Sequence, residues 1–293
     1  MTAHDQAADF LDGAETGRYL LLDCFTERPL AGNQLAVFTP PPRRLEPAEM
    51  QRIAREFNLS ETVFLEPASA GGDARARIFT PLSELPFAGH PVLGTAVVYG
   101  FAERRPRVQL ETGAGIVPVE LDWSAAVPFG RMEQPLPRWQ TYDRAGELLA
   151  ALGIAGSRLP IEDYSNGPHF VIVVLDSAAA LAALHPDPNA LASLGNIGIY
   201  CTAALPTGWE VRMFAPAFGI AEDPVTGSSA GLLATHLARH GEIAFGEEIE
   251  IHQGLRIDRP SLLRARVEGS AARIEHVEVG GSAVIVARGE FRL

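Results

Sequence analysis

The segment FTPLSELPFAGHPVLGTAVVYG, from Phe79 to Gly100, returns in altered form as FAPAFGIAEDPVTGSSAGLLATHLARHG, from Phe214 to Gly241. Each copy runs from a Phe-x-Pro strand end, through a loop carrying an acid, into a glycine and then an apolar helix. Phe79 stands ten residues before Gly89 and Phe214 thirteen before Gly227, so the match is architectural rather than a close duplication. A chain built this way offers two helix N-termini in two similar halves.

The flanking segments repeat the same order of elements. Tyr19 to Phe25 and Gln34 to Phe38 read as strands, and EPAEMQRIAREFN as a helix with Met50, Ile53, Ala54 and Phe57 on one face. TVFLEP and ARARIFTP alternate like strands, and RVQLETGAGIVPVELD reads as a hairpin with a glycine turn. Pro128 to Pro137 is rich enough in proline to read as an interdomain crossing. Beyond it come the helix DRAGELLAALGI, the strand NGPHFVIVVLD, the short helix HPDPNALASLG, and strands at NIGIYCTAA and WEVRMFAP. After the second repeat helix, EEIEIHQG, LLRARVEG, ARIEHVEVGG and AVIVARGEFRL supply four more strands.

The repeat helices are apolar on most of their surface, so each is expected to be enclosed. Gly94, Ala96, Gly231 and Ala234 are small enough for strands to approach closely. Each half therefore reads as a curved sheet around its own helix. The expected divisions are an N-terminal extension over 1–17, a first domain over 18–132 completed by a last strand at 282–293, and a second domain over 133–281.

A net charge of −12 over 293 residues, with no basic run, argues against a nucleic-acid partner. The acidic start lacks the features of a signal peptide, and no apolar run reaches the roughly 18 residues of a membrane span. The expectation is a cytoplasmic protein with no membrane partner. Cys24 and Cys201 lack the spacing of a metal or redox motif and read as buried structural thiols.

A helix N-terminus carries open backbone N–H groups and roughly half a positive charge, so it holds an anion without Lys or Arg. Gly89-His90 and Gly227-Ser228 stand at those ends and read either as parts of a carboxylate site or simply as caps. Glu61, following Ser60 and opening an apolar strand, is placed for general acid/base work, the alternative being a solvated loop acid. Asp223 could bind an amino or hydroxyl group or hold its own loop, and His90 could orient or protonate a substrate.

NLSETVF, RIFTPLSELPFAGHPVLGTA, EDPVTGSSAG, HQGLRIDRPSLL, NGPHFVIVVL and ALHPDPNAL together resemble the PhzF family of phenazine-biosynthesis isomerases, relatives of diaminopimelate epimerase. The likeness runs from about Tyr19 to Leu293. It implies an α+β, diaminopimelate epimerase-like fold of two pseudo-symmetric domains with the site between them, and a homodimer. It implies isomerisation of the small amino acid trans-2,3-dihydro-3-hydroxyanthranilate to an aminoketone, with neither cofactor nor metal. By position, Glu61 matches the family's proton-shuttling acid, and His90 and Asp223 match its other catalytic groups. Ser60, Gly89, His90, Asp223, Gly227 and Ser228 are the expected substrate-binding residues. A related isomerase acting on another small amino acid or carboxylate is the alternative.

Three other chemistries are disfavoured by position. A two-thiol racemase needs a thiol at each helix N-terminus, where this chain has His90 and Ser228. Gly227-Ser228-Ser229-Ala230-Gly231 spells a serine-hydrolase elbow, with Asp258 and His276 as later partners, but EDPVT replaces the strand that should precede it. His236 and His240 have metal-ligand spacing, yet no Glu follows His236, and both are expected at the helix C-terminus. A non-catalytic protein with the same anion site is the alternative from a different class.

Overall fold

The computed structural model describes residues 17–40 and 43–291. Residues 1–16, all but the last of the expected N-terminal extension, lie outside it. The chain separates into two compact units, one ending at Glu133 and resuming at Gly280, the other spanning Gln134–Val279.

In the first unit the order is β1 (Gly17–Cys24), β2 (Asn33–Phe38), α1 (Pro47–Phe57), β3 (Glu61–Pro67), β4 (Ala74–Phe79) and β5 (Glu84–Leu85). There follow α2 (Gly89–Gly100), β6 (Arg107–Thr112), β7 (Gly115–Asp122) and β8 (Phe129–Glu133). The second unit runs β9 (Arg138–Thr141), α3 (Ala145–Leu152), β10 (Glu162–Ser165), β11 (His169–Val174), α4 (Ala178–Ala182), α5 (Pro188–Ala192) and β12 (Gly198–Ala204). It continues with β13 (Trp209–Ala215), β14 (Ile220–Asp223), α6 (Gly227–Arg239), β15 (Glu248–Gln253), β16 (Ser261–Ser270) and β17 (Arg273–Phe291).

The pairing pattern is the same in both units. β1–β2, β3–β4 and β6–β7 are antiparallel, while β2–β3 and β4–β6 are parallel. In the second unit β10–β11, β12–β13 and β15–β16 are antiparallel, while β11–β12 and β13–β15 are parallel. The parallel steps need crossovers, and α1 serves one while α4 and α5 serve its counterpart. In each unit a short antiparallel strand, β5 or β14, then leads into the apolar helix. The repeat seen in the sequence is thus a repeat of topology.

In the first unit β1 and β8 both pair with β17, which closes eight strands into a ring. Helix α2 packs against β1, β2, β3, β4, β6, β7 and β8, and all its residues except Tyr99 are buried. Such enclosure suits a helix apolar on every side. Close approach depends on Gly94, where a Cβ would stand 2.7 Å from Cys24 Sγ and from a Leu35 methyl. In the second unit α6 packs on β16 and β11 and is buried from Gly227 to Ala238.

The chain passes from one unit to the other between Glu133 and Gln134, inside the proline-rich Pro128 to Pro137, whose first part, Phe129–Glu133, is β8 paired with β7. One expectation changes. The last two predicted strands are one, the 19-residue β17. Gly280 and Gly281 would end an ordinary strand. Here they let the backbone pass under aromatic rings, since a Cβ on Gly280 would lie 2.8 Å from the Phe129 ring and one on Gly281 would strike Phe25.

Candidate active site

Helix α1 ends at Asn58, which adopts the left-handed conformation (φ 51°) that Asn tolerates, and the chain turns through half-buried Ser60 into β3. Glu61 is the first residue of that strand, in register with Leu35. His90 is the second residue of α2, whose N-cap position, Ala88, supplies no side-chain cap. With Pro91 next, the helix leaves the N–H groups of Gly89 and His90 open, and its first internal bond runs from Val92 N to Ala88 O.

These two elements bring Glu61 Oε2 within 3.1 Å of His90 Nε2, with the side chains 13% and 5% exposed. The approach lies off the hydrogen-bonding direction, so neither buried atom has a hydrogen-bond partner among the described residues. A carboxyl and an imidazole in contact, each with an unspent bond, form a group that can exchange a proton with a third molecule.

In the second unit β14 ends on Asp223, which is 4% exposed and accepts a 2.5 Å bond from Thr226 Oγ1. Thr226 is the N-cap of α6 but makes no capping bond. The first-turn carbonyls are held from outside the helix: Gln134 Nε2 donates to Gly227 O (2.8 Å) and Asn166 Nδ2 to Ser228 O (2.8 Å). Neutral amides fix that turn without adding negative charge beside the helix N-terminus. Gln134 and Asn166 were not among the site residues read from the sequence, although Asn166 opens the NGPHFVIVVL segment.

Residues 22–289 match the PhzC-PhzF family, described as phenazine biosynthesis-like protein. The chain belongs to that family. Relatives of this PhzC-PhzF member include the trans-2,3-dihydro-3-hydroxyanthranilate isomerase of Pseudomonas fluorescens, 50% identical over 94% of this chain and 99% of that one. The enzyme of the same name from Pseudomonas chlororaphis is 51% identical over 94% and 99%. A crystal structure of a PhzF-family phenazine biosynthesis protein from Bacillus anthracis aligns with a TM-score of 0.82 and 26% identity, covering 96% of this chain and all of that one. A hydroxyproline epimerase from Agrobacterium vitis, 13% identical, matches in fold with a TM-score of 0.68 over 94% and 92% of the two chains. The diaminopimelate epimerase-like architecture follows from these likenesses.

The thiols of this PhzC-PhzF family member are structural. Cys24 and Cys201 are free and fully buried. Burial first, then the negative charges of Asp23 and Glu61, push the Cys24 thiol well above its ordinary range. Burial likewise raises Cys201 to about 12, against a smaller opposing effect of Arg212. Ser229 is equally unsuited to nucleophilic work, lying inside α6 with no exposure and donating to Thr226 O at 2.9 Å.

His236 and His240 do not simply face the end of α6, as expected. They turn onto Glu162 Oε2, with His236 Nδ1 at 3.3 Å and His240 Nε2 at 3.1 Å. These three groups lie close enough to hold a metal ion, but Arg239 Nη1 already sits 2.7 Å from the same oxygen. Its guanidinium stacks 4.2 Å over the Trp139 ring, so the positive charge there belongs to the protein. Burial alone would raise the Glu162 carboxyl, but bonds from His236, Arg239, His240 and Tyr164 outweigh it and hold the group well below the usual carboxylate range.

Proposed function

We propose that this chain isomerises trans-2,3-dihydro-3-hydroxyanthranilate to the aminoketone 6-amino-5-oxocyclohex-2-ene-1-carboxylate, with Glu61 carrying the proton. The observation that carries the reading is the buried contact between Glu61 and His90 at the open N-terminus of α2. Half-identity to enzymes named for this reaction supports the choice of substrate.

The reaction is a rearrangement with no net gain or loss of atoms. Glu61, as carboxylate, takes the proton from the ring carbon that bears the hydroxyl. The electron pair shifts through the diene, and the carboxyl returns the proton to the ring carbon that bears the substrate carboxylate. The resulting enol becomes the ketone by moving its hydroxyl proton to carbon. One group acting first as base and then as acid suffices. His90, in contact with Glu61, and Asp223 orient the substrate, while Ser60 and the backbones of Gly89, Gly227 and Ser228 hold its polar groups.

Turnover in deuterium oxide tests the shuttle. Glu61→Gln should lower kcat by about 10²–10⁴-fold while substrate affinity stays within about threefold. Undiminished turnover in that variant would assign the proton to another group. The reading extends to a homodimer working in the cytoplasm, for which light scattering on the purified chain and cell fractionation are the measurements.

A further inference from the structure

Gln253, the last residue of β15, is fully buried and makes three of its four amide hydrogen bonds to Asp223 and Thr226, ahead of α6. Its Nε2 donates to Asp223 O (2.9 Å) and to Thr226 Oγ1 (3.0 Å). Its Oε1 accepts from Thr226 N (3.2 Å) and from the Tyr200 hydroxyl (3.4 Å). The following residues brace the same loop, since Ser261 Oγ reaches both Pro224 O (3.2 Å) and Gln253 O (3.0 Å). Gly254, at φ +74°, passes so near that a Cβ would stand 2.7 Å from Pro224 O.

A threonine at a helix N-cap ordinarily turns its oxygen onto the N–H groups of the first turn. Thr226 does not, because its hydroxyl gives its proton to Asp223 Oδ2 and takes one from Gln253. Any N–H so capped would be lost to a bound anion. We propose that Gln253 is a positioning residue that turns the Thr226 hydroxyl away from α6, keeping the Gly227 and Ser228 N–H groups open for the substrate carboxylate and Asp223 fixed beside them, while the Ser229 N–H is already held by Thr226 O at 3.2 Å. This rests on the reading of α6 as a carboxylate-binding end, and assigns to the HQGLRIDRPS segment the task of holding that end ready.

The test is a double-mutant cycle. Gln253→Met keeps the volume of the side chain and removes its hydrogen bonds, which frees Thr226 to cap the helix. KM for trans-2,3-dihydro-3-hydroxyanthranilate should rise about fivefold or more, the size of one typical capping bond, with kcat within about threefold. In a Thr226→Val background, where no hydroxyl remains to cap, the same substitution should change KM less than about threefold. A Gln253→Met KM equal to that of the unaltered chain overturns the proposal, as does an equal loss in both backgrounds, which marks general structural damage. If Gln253→Met does not fold, Gln253→Glu serves, since it keeps the acceptor for Thr226 N and loses both donated bonds.

Calorimetric titration with anthranilate, which pairs a carboxylate with an adjacent amine, reads the same cycle without turnover. An unaltered chain that binds anthranilate but leaves the dihydro substrate unchanged defeats the proposed reaction and still decides the role of Gln253. An unaltered chain that binds neither defeats both.

Discussion

Gly231 passes so close beneath Gln134 that a Cβ would stand 2.5 Å from Gln134 Oε1, and it would also strike a Val277 methyl. The same Gln134 holds Gly227 O, so packing on one face of α6 and the geometry of its first turn are joined through one amide. Gly231→Ala should therefore cost about 1–3 kcal/mol by overpacking. Differential scanning fluorimetry should show Tm falling about 2–4 °C for each kcal/mol. KM should rise together with that loss, which distinguishes this glycine from one that matters for packing alone.

The thiols should prove dispensable for turnover. Replacing Cys24 and Cys201 together by Ala should keep kcat/KM within about threefold, because raised, buried thiols supply no thiolate at neutral pH. Iodoacetamide at pH 8 should label neither in the folded chain and both after denaturation, as read by mass spectrometry.

Acid should weaken the second unit in two steps. Burial lowers His236 below its ordinary range, against the opposing pull of Glu162, so below about pH 6.5 the unfolded chain takes up a proton that the folded chain refuses. Stability falls from that point as pH falls. Glu162 is shifted down as well, so its contribution is complete above the unfolded value of about 4.3 and is lost as pH falls further. A Tm series from pH 8 to about pH 2 should lose its upper step in His236→Gln and keep its lower one. Glu162, His240, Arg239 and Tyr164 surround the imidazole, so the variant tests the cluster rather than a lone side chain.

Zinc should find no seat at that cluster while Arg239 fills it. Equimolar zinc should leave Tm unchanged in the unaltered chain and raise it in Arg239→Met, where Glu162 and the two histidines are freed for ligation.

Much of the fold was legible because its signals are local. Met50, Ile53 and Ala54 announced α1 by their spacing and are its buried face, and the repeat announced α2 and α6 by their lack of any polar face. Contacts that depend on distant chain segments were not legible. Gly280-Gly281 reads as a break until the Phe25 and Phe129 rings above it are known. The meeting of Glu61 with His90 joins a strand to a helix nearly thirty residues later, and spacing gave no distance for it. Gln134, Asn166 and Gln253 carry no charge and occur in no catalytic pattern, so only the peptide groups they hold reveal them. His236 and His240 were misplaced because their partner Glu162 lies on another element, β10.

The ring of the first unit is closed by Ala283–Phe291 of β17, through their pairing with β1. On a ribosome those residues arrive only after the whole second unit. A nascent chain that has emerged through Glu133 holds seven of the eight strands, with β1 and β8 as open edges able to pair with any neighbouring chain. At about 5–20 residues per second, the remaining stretch takes on the order of ten to thirty seconds to synthesise. The half begun first is thus closed only after the other half has been made, and its two open edges must be kept from other strands until β17 has emerged.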